Sequence, residues 1–255
     1  MKATPVKGTR DYLPKEVMIR DHLQEIIRET YQEAGFERIT TPIIEDAVNL
    51  DKSEGGENLN LIFKILKRGK KLSSALEAEA PTEQTLADMG LRYDLTLPLS
   101  RYYANNRNDL MNPFKVIQMD RVYRAERPQK GRLREFMQCD IDILGEPSNL
   151  AEIELILATT TTLGKIGFKN FEIRINERRI LKAMAAYSGF PEESYDLVFI
   201  ILDKMDKIGL DGVAEELKKE GFAEEAVDKY LSLFEKAEGT ENGLVTLCDT
   251  LIEAG

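Results

Sequence analysis

The spacing of hydrophobic positions changes several times along the chain, and each change marks an element. In "PKEVMIRDHLQEIIRETYQEAGF", Val17, Leu23, Ile26, Ile27 and Tyr31 recur near helical spacing. This predicts an amphipathic helix stopped by Gly35. "ERITTPIIED" is β-branched and predicts a strand, interrupted by Pro42, which suits an edge or an interface better than a sheet centre. "LIFKIL" predicts a further short strand. Around it, "KSEGGENLN" is glycine-rich and polar, and "KRGKKLSSALEAEAPTEQTLADMG" reads as a charged loop.

Alternation of apolar and polar positions then appears three times. In "LRYDLTLPLSRYYA", Leu91, Tyr93, Leu95 and Leu97 oppose Arg92, Asp94 and Thr96. In "PFKVIQMDRVYRAE", Ile117, Met119 and Tyr123 oppose Gln118, Asp120, Arg124 and Glu126. In "REFMQCDIDILG", Met137, Cys139, Ile141 and Ile143 oppose Phe136, Gln138, Asp140 and Asp142. Each run predicts a strand with one apolar and one polar face. The last two are joined by "RPQKGRL" and should form an antiparallel hairpin with a long basic loop. "SNLAEIELILATTTTLGKIGF" predicts a helix, with a capping box at Asn149 and Glu152 and an end at Gly164. "NFEIRIN" predicts one more strand. Beyond about Phe190 the pattern is helical and acidic. The expected class is α+β: an antiparallel sheet flanked by helices over 1–189, then a small helical subdomain over 190–255.

Composition narrows the function classes. The chain has 255 residues, 42% of them hydrophobic and 31% charged, ordinary for a soluble globular protein. No apolar run approaches the roughly 20 residues of a membrane-spanning helix, and "MKATPVKGTRDYLP" lacks a signal-peptide core. Two cysteines outside any CxxC pattern predict neither a disulfide framework nor a zinc site, and fit a reducing cytoplasm. Cys139, on an apolar parity, and Cys248 are expected in cores, and the single histidine, His22, on the surface. A net charge of −10 argues against coating nucleic acid with the whole surface, though not against a local basic contact.

Against that acidic background, residues 121–145 hold five arginines and a lysine, all ahead of Asp140 and Asp142. An arginine projecting from a sheet presents a planar fork that suits phosphate or carboxylate. Carboxylates on the same surface suit an ammonium or a protonated ring nitrogen. Phe136 could stack on a purine, and Arg127, Lys130, Arg132 and Arg134 could meet a polyphosphate or a nucleic-acid backbone. This is chemistry for a nucleotide plus an amino acid, or for any zwitterion; a solvated sheet face is the plainer alternative. The loop has no Walker-type GxxxxGK[ST], so it is not a P-loop.

"VYRAERPQKGRLREFMQCDIDILG" resembles motif 2 of the class II aminoacyl-tRNA synthetases, in the form found in histidyl-tRNA synthetases. "KGTRDYLP" resembles the N-terminal signature of that family, "ITTPIIED" its motif 1, and "LRYDLTLPLSRY" its substrate-binding strand. The resemblance implies that Arg124 contacts the ATP α-phosphate and the amino-acid carboxylate. It implies that Glu126 lies near the adenine amino group, that Phe136 stacks on adenine and that Arg132 adds an ATP contact. Asp94 and Thr96 would hold the substrate ammonium, with Gln138 and Asp142 contacting histidine. Arg127 and Gln129 would meet the acceptor end of tRNA(His), and Pro42 would lie at a homodimer interface. ATP and Mg²⁺ are the implied cofactors, and no protein metal site is expected. A later arginine- and tyrosine-bearing motif, motif 3 and the anticodon-binding domain are not in this sequence. The expectation is therefore a truncated catalytic domain, inactive alone. The alternative is the related non-catalytic regulatory subunit of ATP phosphoribosyltransferase; Glu126 and the loop arginines argue against it.

Overall fold

Pro14 lacks an N–H, which the first turn of a helix does not use, and it opens α1 (Pro14–Glu33). The Glu16 carboxylate accepts the Leu13 N–H at 2.9 Å, and Gly35 at φ +87° turns the chain away after Ala34. The computed structural model describes residues 3–51, 61–78, 80–175, 177–237 and 243–253. The strand expected around Pro42 is two strands: β1 (Glu37–Arg38) and β2 (Ile44–Asp46), which belong to different sheets. A short α2 (Ala47–Asp51) follows; "KSEGGENLN" lies outside the described residues. Of "LIFKIL", Lys64–Leu66 forms β3.

The expected charged loop contains three elements: α3 (Lys70–Leu76), α4 (Glu83–Leu86) and β4 (Ala87–Leu91). Thr82 and Thr85 cap α4 reciprocally, each side-chain hydroxyl accepting the other's N–H, so a capping pair lay within the polar composition. β4 runs between β2 and β3, antiparallel to both. Gly90 is required there: a Cβ would lie 2.7 Å from Leu50 Cδ1 and 3.1 Å from the Phe63 carbonyl.

The strand expected over 91–97 is also corrected. β4 ends at Leu91, and α5 begins at Thr96 and runs to Asn106. The Asp94 carboxylate accepts the Leu97 N–H at 3.3 Å, a bond that favours a helix start over a ladder. Arg92 does not face solvent; it is fully buried. The hairpin forms as expected, β5 (Phe114–Tyr123) antiparallel to β6 (Glu135–Leu144), with Ile117 opposite Ile141 and Gln118 opposite Asp140. β1 adds to β5 in parallel, so one three-stranded sheet is β1-β5-β6 and the other β2-β4-β3.

α6 (Leu150–Ile166) outlasts Gly164 and ends at Gly167, φ +104°. Asn149 makes no side-chain capping bond; a Glu146–Ser148 turn leads in instead. The apolar face of the hairpin packs Ile117, Met119, Ile141 and Ile143 with Ile27, Tyr31, Leu155 and Ala158 from α1 and α6. Cys139, on the same parity, is exposed, because β6 is the outer strand and the apolar cluster takes in Ile141 and Ile143 without it. The other face is not simply solvated. Leu99, Tyr102 and Tyr103 from α5 cover Phe114, Val116 and Leu144 at one end.

Residues 171–175 pair with no strand among the described residues, and Phe171, Ile173 and Ile175 stay exposed. The chain divides at Ile173/Arg174 into two compact units; the expected division was at 189/190. The second unit takes in α7 (Arg178–Ser188), α8 (Tyr195–Leu202), α9 (Met205–Lys219), α10 (Glu224–Ala237) and α11 (Gly243–Glu253). Its core joins Met184 of α7 to Phe190, Val198, Val213, Val227 and Tyr230, so α7 belongs to the helical unit. Cys248 is half-buried there.

Candidate active site

Two-residue periodicity sends Phe136, Gln138, Asp140 and Asp142 to the face of β6 that α5 leaves partly open. Arg124 follows the end of β5 on the same parity, its N–H bonded to the Arg134 carbonyl at 2.9 Å. Its guanidinium is fixed from two sides. Nε donates to the Tyr93 carbonyl at 3.1 Å, and Cζ sits 5.1 Å from the centre of the Phe136 ring. Tyr93 precedes Asp94, so the same short segment anchors the arginine and presents a carboxylate.

On one side of Arg124 lies a cavity of about 420 Å³ whose lining includes Tyr12, Arg20, Glu126, Arg132 and Phe136, within the size range of small-molecule sites. Arg132 pairs with Glu126 at 3.0 Å. Arg134 donates to the Glu126 carbonyl at 3.0 Å, and its own N–H donates to the Gly8 carbonyl at 2.7 Å. Gly8 has φ +90°, and a Cβ there would meet Arg134 Cγ at 2.7 Å. That close approach accounts for the glycine of "KGTRDYLP". Arg20 lies 4.2 Å over the Tyr12 ring. A larger hollow along α1, about 840 Å³, includes exposed His22 but no basic cluster like that of the hairpin loop.

Three acids lie near Arg124, outside that cavity's lining. Burial raises the Asp94 carboxyl above the ordinary carboxylate range, against the Leu97 and Thr96 N–H groups and Arg124, which favour its charged form. Burial, then the Asp94 charge, raises Asp142. Asp140 is pushed to about 6, first by burial and then by Asp142 and Asp94, with Arg124 and the Gln138 amide opposing. Gln138 Oε1 is buried and has no hydrogen-bond partner among the described residues. An arginine, an aromatic ring and a cluster of acids thus share one sheet face.

Arg124, Glu126, Arg132 and Phe136 therefore line one cavity, and Asp94, Gln138 and Asp142 gather beside it. Thr96 is exposed at the first position of α5, and Arg127 and Gln129 are exposed on the loop. Gln129 bonds to Arg132 through both backbone groups, at 3.1 and 2.9 Å, closing the loop tip around Gly131 at φ +80°. Pro42 is exposed. Sequence reasoning gave no role to Asp140, although its recurrence between Gln138 and Asp142 was the available signal. It also misplaced Arg92, whose Nε donates to the Arg121 carbonyl and Nη1 to the Thr41 carbonyl, both at 2.9 Å, while Nη2 pairs with Asp120 at 2.9 Å. No group of three or more metal-ligating side chains converges among the described residues.

A sequence model of the histidyl-tRNA synthetase family matches residues 8–253. The histidine–tRNA ligase of Leifsonia xyli subsp. xyli is 47% identical over 224 residues, covering 88% of this chain and 52% of that protein. That of Phocaeicola vulgatus is 37% identical over 257 residues, covering 98% of this chain and 56% of that protein. The chain thus spans about half the length of these relatives. The crystal structure of histidyl-tRNA synthetase from Nostoc sp. PCC 7120 superposes with a TM-score of 0.79 at 29% identity, over all of this chain and 54% of that one. An ATP phosphoribosyltransferase regulatory subunit/histidyl-tRNA synthetase from Bacillus halodurans shares the fold, with a TM-score of 0.73 at 20% identity over all of this chain and 65% of that one.

Proposed function

Because the chain belongs to the histidyl-tRNA synthetase family, we propose that it serves the ATP-dependent activation of histidine and its transfer to tRNA(His) in the cytoplasm. In this reading the unit ending at Ile173 is part of a catalytic domain carrying motifs 1 and 2, and the helical unit is an insertion. Arg124 receives the ATP α-phosphate and the histidine carboxylate that attacks it, so it meets negative charge on both reacting groups. A fixed cation placed where charge builds stabilises the transition state without reorganising during the reaction. Phe136 stacks on adenine, Glu126 accepts from its amino group and Arg132 adds a phosphate contact. Asp94 and Thr96 hold the ammonium; Gln138 and Asp142 face the ring. Arg127 and Gln129 reach the acceptor end of the tRNA, and the Pro42 segment joins two copies. When bound with ATP, magnesium supplies further charge neutralisation.

The observation that best supports this reading is the position of Arg124 between the Phe136 ring and the acids, 3.1 Å from the Tyr93 carbonyl. Two reactants bound on either side of it would meet with their reacting groups oriented. The test is ATP–pyrophosphate exchange by the complete gene product. It should require histidine and fall about 100-fold or more with Arg124→Ala. Exchange that ignores histidine, or stimulation of ATP phosphoribosyltransferase without exchange, would refute the assignment. The 255 residues alone should exchange far more slowly than a full-length relative; equal rates would show that they are sufficient.

A further inference from the structure

Resting on the histidine reading above, we infer that Asp140 determines specificity: with Asp142 it binds the ring of the amino acid as a cation, imidazolium, and selects against rings that stay neutral. The placement of the side chains carries this. Asp140 lies opposite Gln118 in the β5–β6 register, between Gln138 and Asp142 on the site face. Gln118 is a buried neutral amide that donates to the Leu95 carbonyl at 3.1 Å, so it brings no charge to offset the carboxylate across from it. The groups that act on Asp140 are Asp142 and Gln138 of its own strand, Asp94 from the segment before α5, and Arg124 after β5.

The charge count is uneven. Three ionised acids and one arginine sum to −3 + 1 = −2. Histidine with a neutral ring is a zwitterion and leaves −2; with a protonated ring it leaves −1. Partly buried like charges disfavour joint ionisation, and a cation among them relieves this. The unpartnered Gln138 Oε1 is a second observation pointing the same way: it needs an N–H donor. Imidazolium carries two such donors, enough for one carboxylate and one amide oxygen while its charge offsets the second carboxylate, whereas neutral imidazole has one donor and one acceptor. The rise of Asp140 to about 6 is what this crowding produces before a ligand arrives.

The experiment compares L-histidine with 1,2,4-triazolyl-alanine, a near-isostere whose ring keeps an N–H but stays neutral in water near pH 7. Both are titrated in pyrophosphate exchange with the complete gene product and with Asp140→Asn. Histidine should show a KM about 10- to 100-fold below that of the triazole in the wild-type protein, the range expected for a charged hydrogen bond. In Asp140→Asn the gap should shrink at least fivefold. Carbon-13 NMR of bound [2-¹³C]histidine should report a protonated ring at about pH 7.5 in the wild type and a neutral one in the variant. Equal KM values for the two amino acids, or a neutral bound ring in the wild type, overturn the inference while leaving histidine activation standing. No histidine-dependent exchange at all would remove both readings.

Discussion

Among single residues, Arg92 carries more structural consequence than any residue assigned to the ligand. It has no exposed surface and joins Thr41, Asp120 and Arg121, while the next two residues anchor Arg124 and supply Asp94. Arg92→Met would deprive Asp120 of its ion pair and the Thr41 and Arg121 carbonyls of a side-chain donor. A loss of about 3–5 kcal/mol is expected, read as a lower urea midpoint at an unchanged slope. For the ligand, Asp142→Ala should raise the KM for histidine about 10-fold or more, at a cost of roughly 1.5–3 kcal/mol, with little change in the KM for ATP; equal effects would remove Asp142 from the histidine subsite. Asp140 adds a pH signature. Its folded carboxyl is raised from 3.8 to about 6, so the folded state holds the proton more tightly than the unfolded one. Its contribution to stability is then greatest below about pH 3.8 and is lost as pH rises through about 6. Asp140→Asn removes that penalty. It should stabilise by about 1–2 kcal/mol near pH 7.5, allowing for partial exposure, and by less near pH 4.5. Parallel thermal scans at the two pH values check this, and a gain that grows toward acid would contradict it.

Elements were legible in the sequence where one physical pattern dominated. The β5–β6 hairpin was, because Met137 to Ile143 alternate strictly in one strand and a weaker alternation runs along its partner, and so was α1, whose apolar stripe ends at a glycine. The 91–97 segment was misread because Leu91, Tyr93, Leu95 and Leu97 do alternate. What decides its conformation is a side-chain bond from Asp94 to the Leu97 N–H and the burial of Arg92, neither of which hydropathy reports. In 67–90, charge masked a capped helix and a central strand. Of the site, the arginines, Phe136 and the acids of β6 could be read; Arg92, Tyr12 and Arg20 could not, since contacts distant in sequence give them their roles. The helical unit offers a test at this scale. Tyr230 is fully buried between Phe190 and Phe234, with ring centres at 5.4 and 5.3 Å, and its hydroxyl has no partner among the described residues. Tyr230→Phe should be neutral or stabilising by up to about 1 kcal/mol. Tyr230→Ala should cost about 3–5 kcal/mol. A clear loss for the phenylalanine variant, measured by denaturant unfolding, would mean that the hydroxyl is satisfied.

For the whole molecule, connectivity decides the order in which the site can assemble. The β5–β6 hairpin closes locally, Tyr123 to Glu135 being 135 − 123 = 12 residues apart. The parallel pairing of Glu37 with Val116 spans 116 − 37 = 79 residues, and the Arg92 bond to Thr41 spans 51. Loop-closure entropy makes the short connection form first. Substitutions in the hairpin such as Ile141→Val should then slow folding, with φ above about 0.5, whereas Phe36→Leu should mainly speed unfolding, with φ below about 0.3. Reversed φ values would place the nucleus around β1 instead. The Arg92 clasp has a kinetic consequence if this order holds. Asp140 and Asp142 stand on the early hairpin, but Asp94 reaches them only when the late clasp closes. A ligand held by all three bridges early and late structure. It would leave the folding rate nearly untouched and lengthen the lifetime of the folded state, because it binds contacts that the transition state has yet to make.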